Sequence, residues 1–170
     1  RESFIAALQN GADAIYLGGT LFSARANAKN FNDEDLQWAV SYAHLYGVKV
    51  YVTINTLYKD KEMNALTSYV TKLYELQVDA LIVQDIGLFD LIRILYPDFE
   101  IHISTQASVM NSYGTRYFEE NGAHRVVLAR ENTLEEIQNI CRQTNLEIEV
   151  FVHGAMCVCY SGQCLMSSMI

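Results

Sequence analysis

The stretch GADAIYLGG, residues 11–19, carries the information on which the fold turns. It is echoed by QVDALIVQD at 77–85 and by GAHRVVLAR at 122–130. Each copy has a short polar entry, an unbroken apolar run, and then small or polar residues. Continuous aliphatic and β-branched runs of this length predict strands buried on both faces. VKVYVTIN (48–55), EIHIST (100–105) and EIEVFVHG (147–154) read the same way, so six strands are expected.

Between these runs the apolar period changes to that of a helix. NDEDLQWAVSYAHLYG (32–47) places Leu36, Ala39, Val40 and Ala43 on one face, and Gly47 ends it. EMNALTSYVTKLYEL (62–76) does the same with Met63, Leu66, Val70 and Leu73. GLFDLIRILYP (87–97) stops at Pro97, the sole proline. SYGTRYFEENG (112–122) is a shorter helix. TLEEIQNICRQ (133–143) opens with a Thr133/Glu136 capping box, with Leu134, Ile137, Ile140 and Cys141 as its expected apolar face. The chain also opens on a helical pattern, RESFIAALQ.

Strict alternation of strand and helix implies right-handed crossovers and a parallel sheet. Two architectures satisfy it: a β/α barrel and an open doubly wound sheet. Gly18–Gly19 is a pair rather than a glycine-rich phosphate loop. Nearly every strand delivers a polar residue at its C-terminal end: Asn55, Gln84 and Asp85, Ser104 to Gln106, Arg130 and Glu131, and His153. In a barrel these converge on one mouth, where such folds keep their sites. We therefore expect an α/β partial TIM-like barrel, with about six parallel strands of the eight in a complete one.

At 170 residues the chain is expected to be a single domain, residues 1–170, cut from a longer protein at both ends. Half the residues are apolar, enough for a substantial core. No apolar run reaches the roughly eighteen residues of a membrane helix. A net charge of −8 argues against a free-standing nucleic-acid binder. The four cysteines are too clustered for a secreted disulfide framework, so a reducing, cytoplasmic setting is expected.

Three of those cysteines lie in HGAMCVCYSGQC, residues 153–164. Cys157 and Cys164 are too far apart for a tight zinc knuckle. Their thiolates suit an iron–sulfur cluster, whose ligands come from more dispersed positions. Buried thiols packed as small hydrophobes are the plainer alternative. Cys159 reads as a spare thiol and Cys141 as core. His153 is either a proton donor at the mouth or a structural residue holding the cysteine turn. Asp85 is the best carboxylate for acid–base work. Arg25, Asn27 and Lys29 form a loop able to hold an anionic substrate group, unless they are simply solvated. Asn55, Gln84, Gln106 and Arg130 would bind a polar ligand or close the barrel top. His102 points either into the barrel or towards a helix, and His44 and His124 read as surface positions. No H-E-x-x-H or G-x-S-x-G motif is present, and no catalytic triad is visible.

Seven segments, in order along essentially the whole chain, resemble the collagenase-like peptidase family U32: NGADAIYLGG, FSARANAKNF, GVKVYVTINTL, VDALIVQDIG, STQASVMNS, RVVLARE and EVFVHGAMCVCYSGQCLMSS. The resemblance implies an incomplete or modified TIM-like barrel whose first strand precedes Arg1. It also implies one of two activities. One is proteolysis of unknown catalytic type. The other is hydroxylation of RNA bases or a quinone precursor by proteins that hold a four-iron four-sulfur cluster on four cysteines. Cys157 and Cys164 match the first two of those ligands. The other two would come from beyond Ile170, so these residues alone are not expected to hold the cluster. A third alternative is a non-catalytic barrel that binds a polar ligand or a partner. Self-association is expected if the barrel is open, because unpaired strand edges pair with other copies.

Overall fold

The computed structural model describes residues 1–24, 30–154 and 156–164. Six strands alternate with six α-helices: α1 Glu2–Gln9, β1 Ala14–Gly18, α2 Asp33–Leu45, β2 Lys49–Ile54, α3 Met63–Glu75, β3 Ala80–Val83, α4 Ile86–Leu95, β4 Glu100–Ile103, α5 Ser112–Glu120, β5 Arg125–Val127, α6 Leu134–Cys141 and β6 Glu147–Glu149. Short 3₁₀ turns precede α3 (Asp60–Glu62) and follow β4 (Thr105–Ala107).

All five strand pairings are parallel, and the strands lie in the order β1-β2-β3-β4-β5-β6. A doubly wound sheet reverses its order at a switch point. This one never reverses, so right-handed crossovers put every helix on the same face. The result is a half-barrel: among the described residues β6 is paired on one side, and β1 beyond its pairing with β2 meets only Phe31, whose N donates to Gly18 O (3.0 Å).

Strand alternation then sorts the core. Val50, Val52, Ile54, Leu81, Val83, Ile101, Ile103 and Val126 face the helices and join one large apolar cluster with Leu36, Leu66, Leu73 and Leu88. The opposite, concave face carries a small cluster of Tyr51, Ala80 and Ile82. His102 belongs to this inner face: its flanking isoleucines point to the helices, and its ring stands edge-on to Tyr51 at 4.6 Å.

The helix boundaries follow the chemistry read from the chain. Asn32 caps α2 through Asp35 N, and Thr133 with Glu136 forms the reciprocal box at α6. Gly47 takes φ +69 just past α2, the left-handed conformation that a Cβ disfavours. Helix α6 departs from its expected packing. Ile140 is buried, but Leu134 is 86% exposed and Cys141 is also exposed. Leu134 is the first helical residue, and its side chain leans back past the helix start instead of over the sheet. With two turns, α6 buries only one full spoke of its stripe.

Candidate metal centre at the C-terminal mouth

Gly18 and Gly19 end β1 for reasons of space. A Cβ on Gly18 would stand 2.8 Å from Ser23 Oγ, and one on Gly19 would collide with the Tyr69 hydroxyl. That hydroxyl is buried without a hydrogen-bond partner, and burial pushes its pKa up to about 12. The next strand ends form a bonded rim. Asn55 Oδ1 accepts from Ala24 N (3.1 Å), and Asn55 Nδ2 donates to Ser104 Oγ (3.4 Å). Ser104 Oγ also accepts from Gln106 N (3.1 Å), and Gln84 Nε2 donates to Gln106 O (3.1 Å). Asp85 is the N-cap of α4. Its two carboxylate oxygens accept from Leu88 N (2.9 Å) and Tyr58 N (3.3 Å).

The cysteine segment sits on this rim because residues 160–163 form a tight turn. Gln163 N donates to Tyr160 O (3.0 Å), and Gly162 takes φ +76. A positive φ at the third turn position is where glycine is preferred. A Cβ there would also strike Gln106 O and Ser108 Oγ. Ser161, 2% exposed, is the plug: its N donates to Glu131 Oε1 (2.9 Å), its Oγ accepts from Arg130 N (3.2 Å), and its O accepts from Ser108 Oγ (2.6 Å). The Ser161 bonds help hold the Glu131 carboxyl below the usual carboxylate range, against the opposing effect of burial. Arg130 closes the clamp. Its two terminal nitrogens donate to the carbonyls of Cys157 (2.5 Å) and Cys159 (2.7 Å).

The clamp gathers three thiols. The sulfurs of Cys157, Cys159 and Cys164 all lie within 4.8 Å of one another. Hydrogen bonds that the Cys159 thiol makes to Cys164 and Cys157 favour its protonated form and push it up to about 11. Beside them is a pocket of about 130 Å³ whose lining includes Gln106, Arg130, Phe151, Cys157, Tyr160 and Cys164. Cys157, Cys164, Gln106 and Arg130 thus meet at one place, at the C-terminal ends of β4 to β6. Asn55 and Gln84 build the adjoining rim. His153 is exposed, and among the described residues no hydrogen bond joins it to a thiol. Arg25 and Asn27 lie outside the described residues, as does Lys29.

Sequence reasoning left Cys159 aside and missed Ser108 and Ser161. The signal for Cys159 was its position within a run of three thiols. Ser161 was marked only by the glycine after it. At the other end of the sheet, Arg125 binds Glu147 (2.5 Å) and Glu149 (3.0 Å) on the inner face. Polar groups at that end of a barrel serve stability.

The model of peptidase family U32 matches residues 1–170. The chain belongs to this family. It is 43% identical over 169 residues to the 23S rRNA 5-hydroxycytidine C2501 synthase of Escherichia coli, covering 98% of this chain and 25% of that protein. It is 39% identical over 167 residues to tRNA hydroxylation protein P1 of Bacillus subtilis (98% and 40% covered). It is 33% identical over 181 residues to a collagenase of Porphyromonas gingivalis (98% and 42% covered). The chain therefore spans a quarter to two-fifths of the length of these U32 relatives. The solved U32 peptidase Mk0906 superposes with a TM-score of 0.74 at 19% identity, covering 88% of this chain and 64% of that one. DHDPS from Cyanidioschyzon merolae superposes with a TM-score of 0.61 at 20% identity (85% and 53% covered). At these identities the two structures bear on the fold, and both support the barrel reading. No helix among the described residues is long and apolar enough to cross a membrane.

Proposed function

We propose that this chain is the barrel part of an iron–sulfur-dependent enzyme that hydroxylates an RNA base. The observation that carries the reading is the set of sulfurs gathered at the barrel mouth, in a chain similar to one rRNA hydroxycytidine synthase and to tRNA hydroxylation proteins. The donor set fits such a group: soft thiolates suit iron–sulfur centres. The loop is already tied down through Arg130, Glu131 and Ser108, so little ordering entropy remains to be lost on loading. Cys157 and Cys164 would be ligands, and the cluster would supply one-electron chemistry beside the pocket.

In this reading the neighbouring side chains handle the substrate. Gln106 offers an amide and Phe151 an aromatic face to a base in the pocket. Exposed His153, four residues before Cys157, is our candidate for proton transfer. Asn55 and Gln84 keep the rim in register through their bonds to neighbouring strand ends. The chain's own charge of −8 leaves phosphate binding to basic groups elsewhere in the assembly.

The test is nucleoside mass spectrometry of RNA from cells lacking the protein, complemented with wild type, Cys157→Ser or Cys164→Ser. One nucleoside should gain an oxygen atom with wild type and with neither variant. An RNA profile unchanged by the wild-type gene overturns the reading. Similarity to the collagenase supports peptidase activity as a second reading. It requires gelatin cleavage by purified protein that is lost in Cys157→Ser or His153→Ala.

A further inference from the structure

We infer that Gln106 is the specificity-determining residue of the pocket beside the thiols. Its side-chain amide reads the edge of the base held there, donating to one edge atom and accepting from the next. The inference rests on the preceding reading of this pocket as the seat of an RNA base. It adds which side chain tells one base edge from another.

Elimination leads to it. Beside the thiols, five polar side chains line the pocket among the described residues: Thr105, Gln106, Arg130, Tyr160 and Ser161. Four are already committed. Thr105 Oγ1 donates to Leu128 O (3.2 Å), and the Tyr160 hydroxyl donates to Met110 Sδ (3.3 Å). Both terminal nitrogens of Arg130 go to the carbonyls of Cys157 and Cys159, and Ser161 Oγ accepts from Arg130 N. Gln106 alone makes no side-chain hydrogen bond among the described residues. A half-buried amide without a protein partner on a pocket wall is available to a ligand.

The backbone beneath that amide is fixed. Gln106 lies in the 3₁₀ turn Thr105–Ala107 after β4. Its N donates to Ser104 Oγ (3.1 Å), and its O accepts from Gln84 Nε2 (3.1 Å). The turn at Gly162 packs so closely on the same O that a Cβ there would strike it. Two strand ends and the cysteine turn therefore hold the main chain, and a reader fixed at its root loses little freedom on binding. The pocket is small. At about 130 Å³ it lies well below the roughly 300–1,000 Å³ that bury a drug-sized ligand, so it takes one planar ring with the sugar and phosphate outside. Such a ring is unpaired or flipped out of a helix, which bares its Watson–Crick edge. That edge sets donors beside acceptors, and an amide, carrying both, matches such a pair. Phe151 serves every base alike through its face.

The test is a chemical double-mutant cycle on the full-length protein. Nucleoside mass spectrometry of RNA from complemented cells first identifies the base that gains oxygen. Short single-stranded RNAs carrying that nucleotide are made in two forms. One is natural, and in the other the exocyclic group on the Watson–Crick edge of the base is replaced by hydrogen. Their Kd values are measured by fluorescence anisotropy under anaerobic conditions. Wild type should bind the natural RNA about tenfold more tightly than the deleted form. Gln106→Met keeps the length and loses the amide, so it should bind both forms within about twofold of each other. Gln106→Glu keeps the shape but has no donor at neutral pH, and its preference should also shrink. A tenfold preference that survives in Gln106→Met, or none in wild type, overturns the inference and leaves the oxygenation reading standing. If no nucleoside gains oxygen, that reading falls and this inference with it. Circular dichroism of each variant separates lost reading from unfolding.

Discussion

One buried residue, His102, should carry a distinct and separable share of this protein's destabilisation by acid. Its side chain is 1% exposed, packed against Tyr51 on the inner face of the sheet, and its Nδ1 has no hydrogen-bond partner. Burial, together with the positive charge of Arg125, lowers its pKa from 6.5 to about 3, with Glu147 pulling the other way. Glu100 Oε2 approaches Nε2 at 3.6 Å, too loosely to keep the ring charged. The ring is therefore neutral in the folded protein at pH 7. The sign follows from proton counts. Between pH 6.5 and 3 the unfolded chain binds a proton here that the native state refuses, so stability falls as the pH falls. The slope approaches about 1.4 kcal/mol per pH unit and totals about 3 kcal/mol by pH 4. That is a large part of the roughly 5–15 kcal/mol holding a typical domain together. The assay is urea unfolding at pH 7, 6, 5 and 4 for wild type, His102→Leu and His102→Gln. Whatever their offset at pH 7, both variants should lose about 3 kcal/mol less than wild type by pH 4. Parallel pH profiles for wild type and both variants would refute the argument.

Four other outcomes are expected. Gly19→Ala should cost about 1–3 kcal/mol, because its methyl meets the buried Tyr69 hydroxyl. Tyr69→Phe removes that oxygen, so the double variant should regain most of the loss in a thermal unfolding cycle. Asp85→Ala should cost about 1 kcal/mol in thermal unfolding through loss of the α4 cap. Arg130→Lys keeps the charge but loses the planar fork that grips two carbonyls, and should cost about 1 kcal/mol in urea unfolding. The largely open edges that β1 and β6 present among the described residues should make the 170-residue chain self-associate, seen as a concentration-dependent mass in sedimentation.

Much of the fold was legible because it rests on local rules. Buried runs such as ALIV at 80–83 specify strands, and the faces of α2 and α3 follow from a helical period. The Thr133/Glu136 box is a four-residue pattern with its own chemistry. Alternation with crossovers fixed the parallel direction, but the unreversed strand order needed coordinates. Helix α6 misled because a stripe of apolar residues states what can be buried, and the neighbouring elements decide what is. The site was legible only in part. Cys157, Cys164, Gln106 and Arg130 could be placed at one mouth by being strand ends or near them. Cys159 and Ser161 could not, since their roles depend on a turn that folds back over residues about 30 positions earlier in the chain.

The unreversed order of the strands bears on how the thiol site is assembled. Each new strand docks against the one made just before it, so the wall can assemble from one end as the polypeptide leaves the ribosome. Ser108, Arg130 and Glu131 all precede the thiols in the chain. By the time the sulfurs emerge, the groups that seat them are already in place. A nascent polypeptide thus lays its thiols into a seat that is already built, and not onto a loose strand.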